Sequence, residues 1–264
     1  MSKVVVIGGG AAGCMAAIAA SECGHSVVLL EKNEKLGKKI YITGKGRCNF
    51  TNACDVEDFL NNVVSNKKFL YSALYTFSPD SMIDFVETNG ITTKVERGNR
   101  VFPSSDHASD ITKALERSLK KNNVDIRLKS NVVDLLLTDG AVSGVRLSDK
   151  STVSCEHVII CTGGLSYQTT GSTGDGLKFA KKLGLEIVET RPALVPMNCA
   201  EEYVKKMQGL SLKNVELSIF DESKCIYNAF GEMLFTHFGV SGPTILSGSA
   251  HLLRYKNVES LLKC

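Results

Sequence analysis

The first 31 residues contain the pattern that most constrains the fold of this chain. Residues 4–7, VVVI, form a continuous β-branched run, as expected for a strand buried on both faces of a parallel sheet. Residues 8–13, GGGAAG, follow at once and satisfy the pattern G-x-G-x-x-G. A run of small residues then favours a helix that ends at Gly24, and a second apolar run, residues 27–30, ends in Glu31. This order of elements predicts the first half of a Rossmann-type α/β domain.

Each part of the pattern has a mechanical reason that indicates a dinucleotide. Gly8 permits the tight turn, Gly10 lets the backbone approach a pyrophosphate, and Gly13 lets helix and strand pack closely. The phosphates would then lie on the free N–H groups at the start of the helix. Glu31 is placed to accept hydrogen bonds from the hydroxyl groups of an adenosine ribose. FAD and NAD share these chemical groups, so the fingerprint alone does not distinguish them.

The pattern beyond this first half favours FAD. Turn signals separate four short predicted strands, at residues 124–128, 132–137, 142–147 and 152–155. An NAD-type domain would continue with further β–α units, whereas a β-meander is typical of the three-layer FAD-binding domains. The apolar strand 158–161 then leads into Thr162-Gly163-Gly164. That glycine-rich turn follows the carboxyl end of a strand, where ligands of open α/β sheets bind.

Apolar spacing and end signals place the helices and the domain boundary. Helices are predicted at residues 55–64, 79–90, 105–121 and 175–184, with Asp175 as the N-cap of the last. The prolines at positions 192 and 196 indicate that the chain leaves its first domain. We therefore predict an FAD-binding domain over residues 1–190 and a β-rich second domain over residues 191–264, with strands at 215–220 and 225–230.

Residues 33–52 form a long predicted loop that is rich in glycine, basic and amide side chains. Structureless loops of this length inside a compact domain are usually functional. Lys38, Lys39 and Arg47 in this loop are candidates to face phosphates or an anionic flavin. The alternative is a solvated basic loop without a ligand.

Charge and composition limit the class of partner. The chain has 31 basic and 28 acidic side chains, and the resulting net charge of +3 is too small to favour a nucleic acid or an anionic membrane. No apolar run approaches the roughly 18 residues that a membrane span needs, and the N-terminus does not resemble a secretory signal. We expect a cytoplasmic protein that acts on a small molecule. Nine cysteines include no C-x-x-C pair and no zinc-ligand spacing, so we predict reduced, mostly buried thiols and no metal site.

Several longer motifs resemble the YhiN/BaiN-type family of NAD(P)/FAD-dependent oxidoreductases, which includes aminoacetone-oxidase-like flavoproteins and reductases of C=C bonds in oxidised bile acids. The motifs that carry the resemblance are GGGAAG at 8–13, EKNEKLGKKIYITGKGRCNFTN at 31–52, GNRVFPSS at 98–105, TGGLSYQTTGSTGDG at 162–176, ALVP at 193–196 and GEMLFTHFGVSGP at 231–243. They occur in the expected order over almost the whole chain, and the motif at 31–52 is specific.

The resemblance implies an FAD-binding domain of the glutathione-reductase type, an inserted β-barrel-like domain and then a small helical domain. It implies FAD contacts at Gly10, Ala12, Glu31, Lys32, Lys39, Thr43 and Gly44, a backbone contact to adenine near Val132, and further contacts at Thr162 and Gly163. In this family a C-terminal segment returns to the first domain. That segment and most of the helical domain are missing here, so we expect a truncated fragment.

The implied activity is hydride transfer from NAD(P)H, as a transient donor, through flavin N5 to a small electron-poor substrate or to oxygen. The candidate catalytic residues are Tyr167, as a proton donor, and His237, as an acid or base; each has a purely structural alternative. Another interpretation is an FAD-binding protein without independent catalysis. It would be either an inactive fragment or a flavoprotein that serves RNA modification or assembly, and the latter predicts a basic face that the small net charge does not favour.

Overall fold

The computed structural model describes residues 1–252 of the chain. The chain divides into two units, Met1–Ile187 and Val188–Cys264. The strands of unit 1 are β1 (Lys3–Ile7), β2 (Ser26–Leu30), β3 (Thr51–Asn52), β4 (Thr93–Glu96), β5 (Arg100–Pro103), β6 (Asp125–Arg127), β7 (Val132–Thr138), β8 (Ala141–Leu147), β9 (Thr152–Ser154) and β10 (His157–Ile160). Its helices are α1 (Ala11–Glu22), α2 (Val56–Asn61), α3 (Lys67–Thr76), α4 (Pro79–Thr88), α5 (Ala108–Lys121) and α6 (Asp175–Lys182).

A parallel sheet with strand order β10-β1-β2-β6 forms the centre of unit 1. Val4 and Val6 of β1 pack in one apolar core with residues of α1 and α5. Val5 and Ile7 of the same strand pack in a second core with residues of β7, β8, β9 and α6. Both faces of the sheet are therefore covered, which explains the continuous apolar run in the sequence.

The predicted meander is present, but the segment predicted as its first strand lies in the parallel sheet. Strands β7, β8 and β9 form an antiparallel sheet of three strands. The segment predicted as the first meander strand, 124–128, instead contains β6, which pairs in parallel with β2 through Val28 and Asp125. It follows helix α5, and a strand that returns after a crossover helix is placed parallel in the same sheet. The prediction of a four-stranded meander was thus wrong in this strand.

Most helix predictions are confirmed, with changes at their ends. Ser78 caps α4, its Oγ accepting the N–H of Ser81 at 3.1 Å, and Pro79 is the first helical residue. The prediction that Asp175 is the N-cap of α6 was wrong, because Gly174, at φ +76°, occupies the cap and Asp175 is the first helical residue. Helix α3 and the small sheet β3-β5-β4 were not predicted. Helix α3 has Leu70, Ala73 and Leu74 at helical spacing, although none of its residues is fully buried.

Unit 2 contains a four-stranded antiparallel sheet in the order β11-β14-β13-β12. Its elements are β11 (Met197–Asn198), α7 (Glu202–Lys206), β12 (Ser211–Asp221), β13 (Lys224–Phe235), β14 (Gly239–Ser241) and α8 (Pro243–Leu252). The two predicted strands are confirmed but are longer than predicted, because register shifts in the β12–β13 hairpin interrupt the alternation. Ile219 and Ile245 are fully buried in the core between the sheet and α8. The predicted start of a helical domain falls partly on residues 253–264, which lie outside the described residues.

None of the helices within residues 1–252 combines the length and the apolar character that a membrane span requires.

Candidate functional site

The glycine turn between β1 and α1 contains two positions that packing reserves for glycine. Gly8 lies at φ +104°, and a Cβ added to it would lie 2.5 Å from the carbonyl oxygen of Cys161. A Cβ on Gly13 would lie 1.7 Å from the carbonyl oxygen of Gly8. A Cβ on Gly10, in contrast, would have no atom within 4 Å. Gly8 and Gly13 are thus required by the fold itself, whereas Gly10 borders open space.

The N-terminus of α1 offers backbone N–H groups beside that open space. Gly10 is the N-cap and provides no side-chain hydrogen bond, and no acidic residue lies in the first turn. Ala11 and Ala12, the first helical residues, are exposed. The N–H groups of a first turn lack intrahelical acceptors and form the positive end of the helix dipole. The space beside Gly10 fits a pyrophosphate, because it is open, no acidic side chain lies in the first turn, and backbone N–H donors face it.

Glu31 ends β2 as a buried carboxylate that is 7% exposed. Its Oε2 accepts the N–H of Gly9 at 2.6 Å. Its Oε1 accepts the backbone N–H and the side-chain amide of Asn33, both at 2.7 Å. A carboxylate has about four acceptor sites, so one stays available beside the glycine turn. Ribose binding by Glu31 stays a prediction, and the geometry fits it.

Lys32 points to the start of α6. Its Nζ donates to Thr173 Oγ1 at 2.9 Å and forms an ion pair with Asp175 at 2.7 Å. Partial burial raises the pKa of the Asp175 carboxyl, but hydrogen bonds from Lys32, Lys178 and Thr173 outweigh it, and the pKa lies below its ordinary value. Asp175 is therefore an anion that neutralises Lys32.

A cleft of about 340 Å³ opens between the meander and α6. Lys32, Val132, Asp175 and Phe179 are among the residues that line it. Val132 begins β7 and pairs with Leu147 of β8. Lys32, predicted to contact FAD, and Val132, predicted to contact adenine, thus line one cleft, and adenine binding there stays a prediction.

The turn after β10 is packed against the loop that precedes α6. Thr162 Oγ1 accepts the N–H of Gly176 at 2.9 Å. Gly163 lies at φ +72°, and a Cβ on it would lie 2.6 Å from Ser172 Oγ. Lys39 Nζ donates to the same Ser172 hydroxyl at 2.8 Å. The structure therefore brings Lys39, Thr162 and Gly163 together around this loop.

The predicted structureless loop at 33–52 contains short 3₁₀ turns over Ile40–Gly46. The turns are interrupted at Thr43, whose Oγ1 donates to the carbonyl of Ile40 at 2.7 Å. Gly44 and Lys45 follow at φ +55° and +57°. A left-handed residue other than glycine is costly and is common at ligand sites. Thr43 and Gly44 are exposed, and their contact with FAD stays a prediction.

Two basic side chains of this loop are already engaged by protein groups. Arg47 forms an ion pair with Glu96, and its Nε donates to Asp106 Oδ1 at 2.8 Å. Hydrogen bonds from Arg47 lower the pKa of the Glu96 carboxyl. Lys38 Nζ lies 3.0 Å from the carboxylate of Glu34. Arg47 therefore ties the loop to the β4–β5 region, and its carboxylate partners argue against a role facing phosphate.

The two candidate catalytic residues belong to different units. Tyr167 of unit 1 is 69% exposed at φ +52°, in the loop between β10 and α6. His237 of unit 2 is exposed in the turn between β13 and β14, and its ring meets that of Phe238 edge-on with centroids 4.9 Å apart. A catalytic role for either residue stays a prediction.

The polar side chains that join these segments, above all Asn33, were not predicted from the sequence. Asn33 contacts the carbonyl of Thr170, which lies 137 residues further along the chain. No periodicity encodes such a contact. The available signal was the amide and glycine content of the motifs at 31–52 and 162–176.

The parallel sheet, the glycine turn and the buried Glu31 together define a Rossmann-type dinucleotide-binding domain. The chain matches the family described as HI0933-like protein Rossmann domain over residues 2–246, and it belongs to that family. The predicted fold class, the predicted cofactor FAD and the YhiN/BaiN-type resemblance are thereby confirmed.

Known relatives extend the comparison. The ribosomal RNA dihydrouridine synthase of Escherichia coli (strain K12) is 34% identical over 249 residues, which cover 94% of this chain and 60% of that protein. The 3-dehydro-bile acid delta(4,6)-reductase of Clostridium scindens is 31% identical over 257 residues, covering 96% and 61%. The chain thus spans about 60% of the length of these relatives. The E. coli relative is named for an RNA. The prediction that this chain has no nucleic-acid partner is therefore not confirmed.

A solved structure supports the fold independently of close sequence similarity. The open conformation of a flavocytochrome c3 fumarate reductase superposes with a TM-score of 0.57 at 22% identity, covering 84% of this chain and 49% of that one. At this level of identity the likeness concerns the fold alone.

The cysteines are less buried than predicted. The eight described cysteines form no disulfide with one another; Cys14, Cys48 and Cys155 are buried, while Cys23 and Cys225 are exposed. Cys264 lies outside the described residues.

Cys14 should resist alkylation at pH 8 in the folded chain. Burial under the glycine turn, reinforced by the nearby Glu31 carboxylate, raises the pKa of its thiol to about 12. Only roughly one molecule in ten thousand then carries the reactive thiolate at pH 8. Iodoacetamide labelling followed by peptide mass spectrometry should find Cys23 and Cys225 modified first, and Cys14 only after unfolding in urea. Labelling of Cys14 as fast as Cys225 in the folded chain would contradict this burial.

Proposed function

We propose that this chain forms the FAD-holding part of a reductase that adds hydride to a carbon–carbon double bond conjugated with a carbonyl group, with NAD(P)H as the electron donor. The observation that carries the proposal is that two relatives above 30% identity have names that imply the same bond reduction. Dihydrouridine is uridine with its C5–C6 double bond reduced, next to a carbonyl group. The double bonds named in the bile-acid relative are conjugated with a 3-oxo group.

In this proposal the chain binds the dinucleotide along the edge of its parallel sheet. The start of α1 at Gly10 holds the pyrophosphate, Glu31 accepts the ribose hydroxyls, and the cleft at Val132 receives adenine. The turn at Thr162–Gly163 and the exposed loop at Thr43–Gly44 would provide the further contacts to FAD. When bound, FAD supplies hydride transfer between a nicotinamide donor and an electron-poor carbon.

The substrate itself has two candidates, a small unsaturated carbonyl compound and a uridine of ribosomal RNA. Two relatives, at 34% and 30% identity, are named ribosomal RNA dihydrouridine synthase, and this favours the second. A net charge of +3 gives little non-specific attraction to RNA. A base that enters an active site is bound by stacking and by hydrogen bonds to its edge, however, so the small net charge does not exclude it.

Anaerobic reduction tests the donor half of the proposal. The 264-residue chain, reconstituted with FAD, should lose its flavin absorbance on addition of NADH or NADPH, faster than free FAD at the same concentration. Bleaching by neither nucleotide would contradict the NAD(P)H step.

Reduction of the flavin with dithionite tests the transfer from FAD to the substrate separately from the NAD(P)H step. The reduced protein is mixed anaerobically with a 4-en-3-one steroid, with fumarate, or with unmodified ribosomal RNA made by transcription. We expect return of the flavin absorbance with at least one acceptor, and a mass gain of two hydrogens at a uridine would select the RNA candidate. Failure of all three acceptors would contradict the proposed reduction of conjugated double bonds.

A further inference from the structure

The side chain of Asn33 connects two parts of the candidate site. Its Nδ2 donates to Glu31 Oε1 at 2.7 Å and to the carbonyl oxygen of Thr170 at 3.1 Å. Its Oδ1 accepts from Lys38 Nζ at 3.3 Å. A side-chain amide has two N–H donors and one carbonyl acceptor. Both donors and the acceptor are in use, so these contacts fix the orientation of the amide.

The loop that Asn33 contacts, residues 165–174, approaches it closely. Gly171 lies at φ +103°, and a Cβ on it would lie 2.7 Å from Asn33 Nδ2. Any larger residue at this position would push the loop away from the amide. Lys39 Nζ donates to the carbonyl of Ser166 at 2.8 Å, and Lys32 binds Thr173 further along the same loop. The 165–174 loop is therefore held by three side chains from the stretch that directly follows Glu31.

The backbone of this stretch has its own support. The carbonyl oxygen of Asn33 accepts the N–H of Lys129 at 2.9 Å, and that of Glu31 accepts the N–H of Ser130 at 2.8 Å. Removal of the Asn33 amide therefore leaves its backbone in place. The amide itself is the element that joins the Glu31 carboxylate to the loop.

We propose that Asn33 is a positioning residue that couples ribose recognition by Glu31 to the conformation of the 165–174 loop, which carries Tyr167. The inference rests on the proposed binding of the adenosine ribose by Glu31. Because Asn33 donates to Glu31 Oε1, it orients the carboxylate so that its remaining acceptor site faces the ribose. Since the same amide holds Thr170, adenosine binding and loop order stabilise each other, and such coupling is reciprocal.

ADP is the probe for the test, because it contains the adenosine and pyrophosphate but no flavin. In the wild-type 264-residue chain, ADP should slow amide hydrogen exchange in a peptide that covers the 165–174 loop. Asn33→Ala should weaken ADP binding by about tenfold, the effect of one hydrogen bond to a charged group, as measured by calorimetry. At saturating ADP the variant should still lack the exchange protection in the loop.

Asn33→Asp provides a second variant with a pH-dependent effect. At pH 8 the introduced carboxylate would face Glu31 Oε1 and the Thr170 carbonyl, and ADP should bind more weakly than to Asn33→Ala. The nearby Glu31 carboxylate disfavours ionisation of the introduced group, and Lys38 Nζ, which lies 3.3 Å from Asn33 Oδ1, opposes this effect in part. Once protonated, the introduced carboxyl group can donate a hydrogen bond again, so affinity and loop protection should recover in part at pH 5.5. A merely structural defect would not recover on acidification.

Asn89→Ala is the matched control, because Asn89 follows the last residue of α4 and its Nδ2 donates to the carbonyl of Phe85 at 2.8 Å, within the same helix. Asn89→Ala should bind ADP with wild-type affinity, and ADP should slow amide hydrogen exchange in its 165–174 loop as in the wild type. Unchanged ADP affinity in Asn33→Ala, or loop protection that persists in it, would overturn the coupling. If the wild-type chain bound neither ADP nor FAD, the proposed dinucleotide site would be wrong. If the wild type bound ADP and Asn33→Ala bound it with the same affinity, only the proposed role of Asn33 would be wrong.

Discussion

Replacement of Gly10 by alanine is expected to abolish FAD binding while the fold stays intact. Gly10 lies at φ −78° and ψ −173°, an extended conformation that alanine adopts freely. An added Cβ would meet no protein atom within 4 Å, so the apo protein has room for it. It would occupy the space through which a pyrophosphate approaches the start of α1. We expect FAD affinity to fall by at least about a hundredfold, which corresponds to about 2.7 kcal/mol.

Two measurements separate the ligand effect from a folding effect. Flavin absorbance after gel filtration with added FAD reports binding, and urea unfolding of the apo chain reports stability. We expect loss of flavin together with an unfolding free energy within about 0.5 kcal/mol of wild type. An alanine variant that retained FAD would show that the pyrophosphate does not approach the backbone at Gly10.

The sequence predicted the parts of the fold that neighbouring residues determine. Strand β1, helix α1 and strand β2 follow directly from the apolar runs and the glycine turn, because each element is encoded within about a dozen residues. The segment 124–128 was recognised as a strand but was assigned to the wrong sheet. Apolar content shows that a segment is extended, but the partner of a strand depends on the crossover helix before it.

The candidate site was predictable to a different degree at each residue. Gly8, Gly13 and Glu31 follow from a fingerprint with a known mechanical basis, and the structure confirms the close packing at the two glycines, while ribose binding by Glu31 stays a prediction. Asn33 was not predicted, since its role depends on a contact with Thr170 that folding alone creates. Composition made Arg47 a candidate to face phosphates or an anionic flavin, but it could not show the ion pairs with Glu96 and Asp106 that hold the guanidinium in the structure.

The same limit explains the misplaced cap of α6. Asp175 has the side chain of a typical N-cap, yet Gly174 takes that position at φ +76°. The carboxylate of Asp175 is then free to bind Lys32 at 2.7 Å. A local preference for capping is worth about 1 kcal/mol, and a partly buried ion pair with further hydrogen bonds can exceed it. Tertiary contacts therefore override local signals at this site.

Replacement of Gly13 by alanine is expected to lower the stability of the apo protein, whereas Gly10→Ala is expected to weaken FAD binding and leave the fold intact. The added Cβ would lie 1.7 Å from the carbonyl oxygen of Gly8 and 3.2 Å from Cys161 Cβ. The first contact is with backbone that β1 holds in the parallel sheet, so relief requires α1 to move away from its core. Overpacking of this kind typically costs about 1–3 kcal/mol, and a contact with fixed backbone places Gly13→Ala at the upper end, which is a large share of the stability of a domain. We expect an apo variant with a urea midpoint far below that of Gly10→Ala, or a variant recovered only as aggregate. An unfolding free energy within about 1 kcal/mol of wild type would show that α1 does not pack on the glycine turn as closely as this structure has it.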